Sequence, residues 1–117
     1  MSYVSFEDLE VWKRSCRLAV EICKLLKDCR DFVLKDQMSR AAISIASNIS
    51  EGAERGSRSE FIRFLHIAKG SAAELRTQIY IADKLGTILP EGKATELTAE
   101  LKQISSMLHG LVKSQKN

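Results

Sequence analysis

Apolar residues recur at alternating three- and four-residue steps along most of the 117-residue chain, the period of helices that bury one face. Turn signals divide this pattern into four stretches. Ser5 with Asp8 three residues on has capping-box spacing, and Val4 and Leu9 are placed for the hydrophobic staple; a first helix runs from there to about Cys29. After a short connection, Arg30-Asp31-Phe32-Val33-Leu34, a second helix spans about Lys35 to Arg55, and Gly56 suits the left-handed residue that ends it. Ser57-Arg58-Ser59-Glu60 caps a third helix that reaches Leu85 and stops at Gly86. Pro90 sits where a first helical turn accepts it, and a fourth helix runs to about Lys113.

Each stretch carries a seam. The first has Leu9, Trp12, Cys16, Ala19, Cys23 and Leu26, and the second has Met38, Ala42, Ile45, Ile49 and Gly52. The third has Phe61, Leu65, Ala68, Ala72, Leu75, Ile79 and Ala82, and the fourth has Ala94, Leu97, Leu101, Ile104, Leu108 and Leu111. Such seams pack knobs into holes at shallow crossing angles. Short connections make successive helices antiparallel, so the expected fold is all-α, an up-down-up-down antiparallel four-helix bundle occupying residues 1–117 as one domain.

The first helix has more apolar surface than one seam needs. Val11, Leu18, Ile22 and Leu25 form a second seam, and the combined arc covers about 220° where a bundle stripe covers roughly 100–140°. It reads either as a broad core helix or as a helix whose second seam meets another subunit. The second helix is mostly small between Ser39 and Ser50 (Ser39, Ala41, Ala42, Ser44, Ala46, Ser47, Ser50), which suits a close helix–helix approach or plain surface tolerance.

Composition narrows the class. With 44% hydrophobic and 28% charged residues and a single Pro, disorder, collagen-like and disulfide-scaffold classes are excluded. No apolar run of 18 residues exists, so no membrane span is expected. The opening Met1-Ser2-Tyr3-Val4-Ser5-Phe6-Glu7-Asp8 lacks a basic n-region and apolar h-region, and three unpaired cysteines (Cys16, Cys23, Cys29) suit a reducing cytoplasm.

Candidate chemistry is sparse. A di-iron carboxylate bundle needs Glu-x-x-His pairs, but Arg63 precedes His66 and Ser106 precedes His109 at that spacing. Cys16 and Cys23 read as buried small hydrophobes, not as a zinc or redox pair. There is no Gly-x-Ser-x-Gly elbow and no phosphate-binding glycine loop. Glu51, Glu54, Glu60 and Glu74 fit solvated helix faces. No enzyme, metal, cofactor or small-molecule substrate is therefore expected.

Basic residues offer the one positive signal. Lys13, Arg17, Lys24 and Lys27 fall within about 80° around the first helix, and Arg40, Arg55, Arg58 and Arg63 cluster around the second and third. Such stripes neutralise phosphates, although interleaved acids (Glu10, Glu21, Asp28; Glu51, Glu54, Glu60) equally make them solvated surface. The net charge is only +3, and the seven aromatics (Tyr3, Phe6, Trp12, Phe32, Phe61, Phe64, Tyr80) offer no stacking platform for single-stranded bases.

Residues of the second and third helices resemble a known signature. Gln37-Met38-Ser39-Arg40-Ala41-Ala42-Ile43-Ser44-Ile45-Ala46-Ser47-Asn48-Ile49-Ser50-Glu51-Gly52 is similar to that of the four-helix bundle proteins encoded by intervening sequences in bacterial 23S ribosomal RNA genes. So are Arg55, Ser57, Glu60-Phe61, Arg63-Phe64-Leu65, Ile67-Ala68, Gly70-Ser71 and Glu74-Leu75, with the opening Phe6-x-x-Leu9-x-Val11-Trp12 and the closing Met107-Leu108-x-x-Leu111. The chain departs at Cys29-Arg30-Asp31-Phe32-Val33, where the family often has Phe-Pro and Glu-Tyr-Gly.

The resemblance implies a small cytoplasmic bacterial protein, similar to members that form ring-like homopentamers. It also implies kinship with the bundle-forming accessory proteins of diversity-generating retroelements, which bind nucleic acid and a reverse transcriptase. On this reading Asn48, Glu51, Gly52, Gly70, Ser71 and Glu74 serve packing or an interface, or line an RNA-facing surface. The expected function is a non-enzymatic homo-oligomeric bundle that binds RNA or ribonucleoprotein through Arg40, Arg55, Arg58, Arg63, Lys13 and Arg17, with Val11, Leu18, Ile22 and Leu25 at the subunit contact. The alternative is a protein-binding scaffold or adaptor ring without a nucleic-acid role.

Overall fold

A computed structural model describes residues 5–117. Its helices are α1 (Glu10–Leu25), α2 (Phe32–Glu54), α3 (Arg58–Leu85) and α4 (Lys93–Lys116), preceded by a 3₁₀ turn at Phe6–Asp8. Helix α1 packs on α2, α2 on α3, α3 on α4, and α4 returns to α1. The described chain is a rod of 49 × 20 × 20 Å, and α3, at roughly 1.5 Å per residue, spans most of its length.

Local chemistry explains where the helices begin and end. Ser57 Oγ accepts the Glu60 N–H at 3.2 Å, the expected cap of α3, and Gly86 closes α3 in the left-handed region at φ 76°. Several boundaries differ from the sequence reading. Helix α1 ends at Leu25, not near Cys29, where the Leu26 N–H turns back to the carbonyls of Ile22 and Lys24. The Asp31 carboxylate caps α2 by accepting the Leu34 N–H at 3.1 Å, so Phe32, Val33 and Leu34 become first-turn helix rather than loop. Pro90 lies outside α4, which begins after Gly92 at φ 83°.

At the N-terminus, Ser5 Oγ accepts the Glu7 N–H at 3.2 Å and so caps the 3₁₀ turn, not α1. The Val4–Leu9 staple and Tyr3 lie outside the described residues. The 3₁₀ turn is held by Phe6, whose ring meets Trp12 edge-on with centroids 5.1 Å apart at 72°.

The seams of α2, α3 and α4 are largely where the periodicity places them, with Phe61 and Leu111 at their ends only half-buried. Met38, Ala42, Ile45, Ile49, Leu65, Ala68, Ala72, Leu75, Ile79, Ala82, Leu101, Ile104 and Leu108 are all fully buried. Each large aliphatic among them contributes on the order of 1.5–3 kcal/mol.

Helix α1 is rotated from expectation. Val11, Leu18 and Ile22 are 4%, 3% and 0% exposed and belong to the chain's own core, with Leu25 packed half-buried against it. They are therefore not a free seam for a second subunit. The first seam divides: Ala19 and Leu26 join the core and Leu9 and Trp12 pack half-buried against it, whereas Cys16 is half-buried and Cys23 exposed. The reading of Cys16 and Cys23 as buried hydrophobes is corrected with it.

Cross-helix pairs flank the buried face in this rotation. Arg14 Nε donates to Glu100 Oε2 at 2.9 Å and Lys93 Nζ reaches Glu21 Oε2 at 3.2 Å. With Arg14 and Glu21 on the α4 side, Val11, Ser15, Leu18 and Ile22 turn inward. Ser15 enters the core at no cost in unmet hydrogen bonds, because its hydroxyl donates to the Val11 carbonyl at 2.7 Å.

The Arg14 hydrogen bonds hold the Glu100 carboxyl below the ordinary carboxylate range against a smaller opposing effect of burial. A pKa depressed in the folded state stabilises above the unfolded value of about 4.3 and loses that contribution as pH falls through the folded value. Glu100→Gln should thus flatten the loss of urea-unfolding stability between roughly pH 5 and 3, by at most about 1 kcal/mol for so accessible a pair. An unchanged pH profile would remove this pair from the acid sensitivity.

Candidate functional site

The signature residues converge on the seam between α2 and α3. The Asn48 amide donates to the Ser44 carbonyl and hydroxyl, both at 2.8 Å. Ser44 Oγ in turn lies 2.9 Å from Ser71 Oγ across the seam. A β-carbon at Gly52 would stand 2.5 Å from Phe64 Cβ, so only glycine admits α3 at this distance. Asn48, Gly52, Ser44 and Ser71 are thus used in fastening two helices of the same chain.

A chain of charges surrounds the same corner. Arg55 pairs with Glu51 at 3.0 Å and, across the turn, with Glu60 at 3.6 Å. Arg63 pairs with Glu60 at 2.8 Å. Both guanidiniums lie over the Phe64 ring, at 4.9 Å for Arg55 and 4.5 Å for Arg63. The Arg63 hydrogen bond is the main reason the Glu60 carboxyl is held below its ordinary range. These pairs are solvent-exposed, so each is worth little alone, but at this corner two of the five arginines expected to meet phosphate already face carboxylates.

The other candidates do not join them. Arg40 lies about 22 Å from Arg55 along α2 and pairs with Asp36 at 3.1 Å. Arg17 pairs with Glu10 at 3.2 Å on α1. Lys13 and Arg58 are exposed and make no ion pair among the described residues. The expected basic surface is therefore three separate patches, largely neutralised from within.

The remaining signature residues point outward. Gly70 is exposed in the middle of α3 with open space where its side chain would be, although a mid-helix glycine costs about 0.5–1 kcal/mol relative to alanine. Ile67 and Ile81, 41% and 50% exposed, share its stripe with Glu74, and half-exposed Ile43 stands on neighbouring α2. Arg40, Ile43, Ser44, Ser47 and Glu74 line a shallow depression there. Sequence reasoning met Ile43 and Ile67 only as signature residues and did not name Ile81. The signal on α3 is the i, i+3, i+7, i+14 spacing from Ile67 through Gly70 and Glu74 to Ile81.

Among the described residues no helix is long and apolar enough to cross a membrane, and no three His, Cys, Asp or Glu gather as metal ligands.

These features define an all-α, four-helix protein whose most distinctive segment joins its second and third helices. The chain belongs to the 23S rRNA-intervening sequence protein family, whose model matches residues 7–110. It is similar to a crystal structure from Bacteroides thetaiotaomicron, a protein with unknown function from the S23 ribosomal protein family. That likeness has a TM-score of 0.80 and 26% identity, covering 88% of this chain and 98% of that one. No curated protein matches.

Proposed function

We propose that this protein is a non-enzymatic, cytoplasmic four-helix bundle of up-down-up-down course that assembles into a homo-oligomeric ring and binds RNA or ribonucleoprotein. The antiparallel course is supported by paired positions that run in opposite senses: Gly52 with Phe64 and Ser44 with Ser71, Arg14 with Glu100 and Glu21 with Lys93.

The observation that carries self-association is the outward stripe of α3. Ile67, Gly70 and Ile81 combine exposed apolar side chains with a helical glycine that no contact within the chain requires. A neighbouring subunit approaching Gly70 supplies the missing reason. The family resemblance extends this to five subunits.

Light scattering at micromolar concentration tests the assembly. The expected mass is a multiple of 13.1 kDa, and Ile67→Asp with Ile43→Asp should give a monomer of unchanged helix content. A monomeric wild-type chain would overturn the ring.

RNA binding is tested by anisotropy of a structured RNA across salt concentrations. Affinity falling steeply with salt indicates phosphate contacts. A second reading, a protein-binding scaffold ring, is favoured by the ion pairing of Arg40, Arg55 and Arg63. Absence of RNA binding at low salt would select it.

A further inference from the structure

The cations that carboxylates leave free lie elsewhere. On α3, Ser71 and Phe64 mark the side turned to α2, through the Ser44 hydroxyl and the close approach of Gly52. Lys69, Arg76 and Tyr80 stand about 140–180° around the helix from Ser71. On α4, Glu100 marks the side turned to α1 through Arg14. Lys102 and His109 stand about 160–180° from Glu100. Since α3 packs on α4, these residues flank the outer seam between the two helices.

Three properties separate this face from the arginine corner. Lys69, Arg76, Lys84 and Lys102 make no ion pair among the described residues. The nearby helical acids are engaged or turned away, since Glu100 holds Arg14, Glu96 holds Lys93 and Glu74 lies on the outward stripe, which leaves Asp83 and Glu91 at the loop end. Lys69 and Arg76, like Lys102 and His109, are seven residues apart, which places cationic or imidazole groups about every 10 Å along the rod. Tyr80, 49% exposed, adds a ring and a hydroxyl between them.

A run of like charges without counter-charges repels itself, and a folded chain gains by neutralising it with an external polyanion. Large aliphatic side chains are sparse here, which disfavours a membrane surface or an apolar protein partner. The face is also rotated about 100° from the Ile67–Gly70–Ile81 stripe, so assembly through that stripe leaves it open.

We propose that the outer seam between α3 and α4, with Lys69, Arg76, Lys84 and Lys102, is the surface along which an RNA phosphodiester backbone lies. This rests on the RNA-binding reading above and replaces the arginine corner as its site. Each phosphate contact adds about 0.7–0.9 to the slope of log affinity against log salt.

The test compares a structured RNA hairpin titrated against wild type, Lys69→Gln/Arg76→Gln/Lys102→Gln, and Arg40→Gln/Arg55→Gln/Arg58→Gln, with helix content checked for each. The first triple variant should lose about tenfold or more in affinity at low salt and reduce the slope by about 2–3. The second should stay within about threefold of wild type. The reverse ranking, or equal losses in both, would overturn the placement while leaving RNA binding intact. No binding by wild type at low salt would overturn both. Lysine acetylation of the unaltered protein gives a readout independent of variant folding: the hairpin should protect Lys69 and Lys102 more than Lys13 and Lys24, and equal or opposite protection would overturn the placement.

Discussion

Replacing Ile22 with alanine should lower the unfolding free energy by about 2–5 kcal/mol, the range for truncating a fully buried aliphatic side chain. Cys23→Ala, one residue on, should stay within about 0.5 kcal/mol, as surface changes usually do. Ile22 is 0% exposed among the core residues of all four helices, whereas Cys23 faces solvent. One residue along a helix is a rotation of about 100°, so this pair of variants reads the rotation of α1 directly. Urea midpoints for both decide it. A large loss at Cys23 with a small one at Ile22 would place the Trp12–Cys16–Cys23 seam inside.

Gly52→Ala should be destabilising, although alanine is normally the better helix former. Its methyl carbon would stand 2.5 Å from Phe64 Cβ and 3.3 Å from Phe61 Cδ1. The first neighbour is fixed to the α3 backbone and cannot swing aside, so the two helices must separate. Overpacking of this kind costs about 1–3 kcal/mol, offset by the roughly 0.5–1 kcal/mol that alanine gains over glycine in a helix. Gly110→Ala is the matched control, because that glycine is exposed on α4 with open space around it. It should stabilise by up to about 1 kcal/mol. The expected result is therefore a change of sign between two identical substitutions. Stabilisation at both positions would mean that α2 and α3 are not held at the distance described.

The sequence was most legible where a helix has a single apolar stripe. For α2, α3 and α4 the spacing named most of the buried residues, from Met38 to Leu108, and missed Ala41, Ala46, Phe64 and Val112 beside the seams. Helix α1 carries two stripes of nearly equal apolarity. The core takes residues from both, Val11, Leu18 and Ile22 with Ala19 and Leu26, and the Arg14–Glu100 and Glu21–Lys93 pairs that flank it have partners more than seventy residues away in the chain. Asp31 as a cap was missed because no Glu or Gln follows at the capping-box position.

The candidate site shows the same division. Asp36–Arg40, Glu51–Arg55 and Glu60–Arg63 have the i, i+3 or i, i+4 spacing of helical ion pairs, so their neutralisation was readable in advance. The Arg55–Glu60 pair crosses a turn and was not. The α3–α4 face was invisible as a cluster, since Arg76 and Lys102 belong to different helices and neither lies in a basic run.

Trp12 is the chain's single tryptophan, and it is half-buried against the edge of Phe6 on the 3₁₀ turn. Tryptophan emission from this protein is therefore a local gauge. It reports on the α1 edge where the N-terminal turn seats and Trp12 packs against the core, while the far side of the bundle contributes no tryptophan signal of its own. A denaturation curve followed by fluorescence and one followed by helical ellipticity observe different parts of the molecule, and their coincidence would say that seating the turn and forming the core are a single cooperative event.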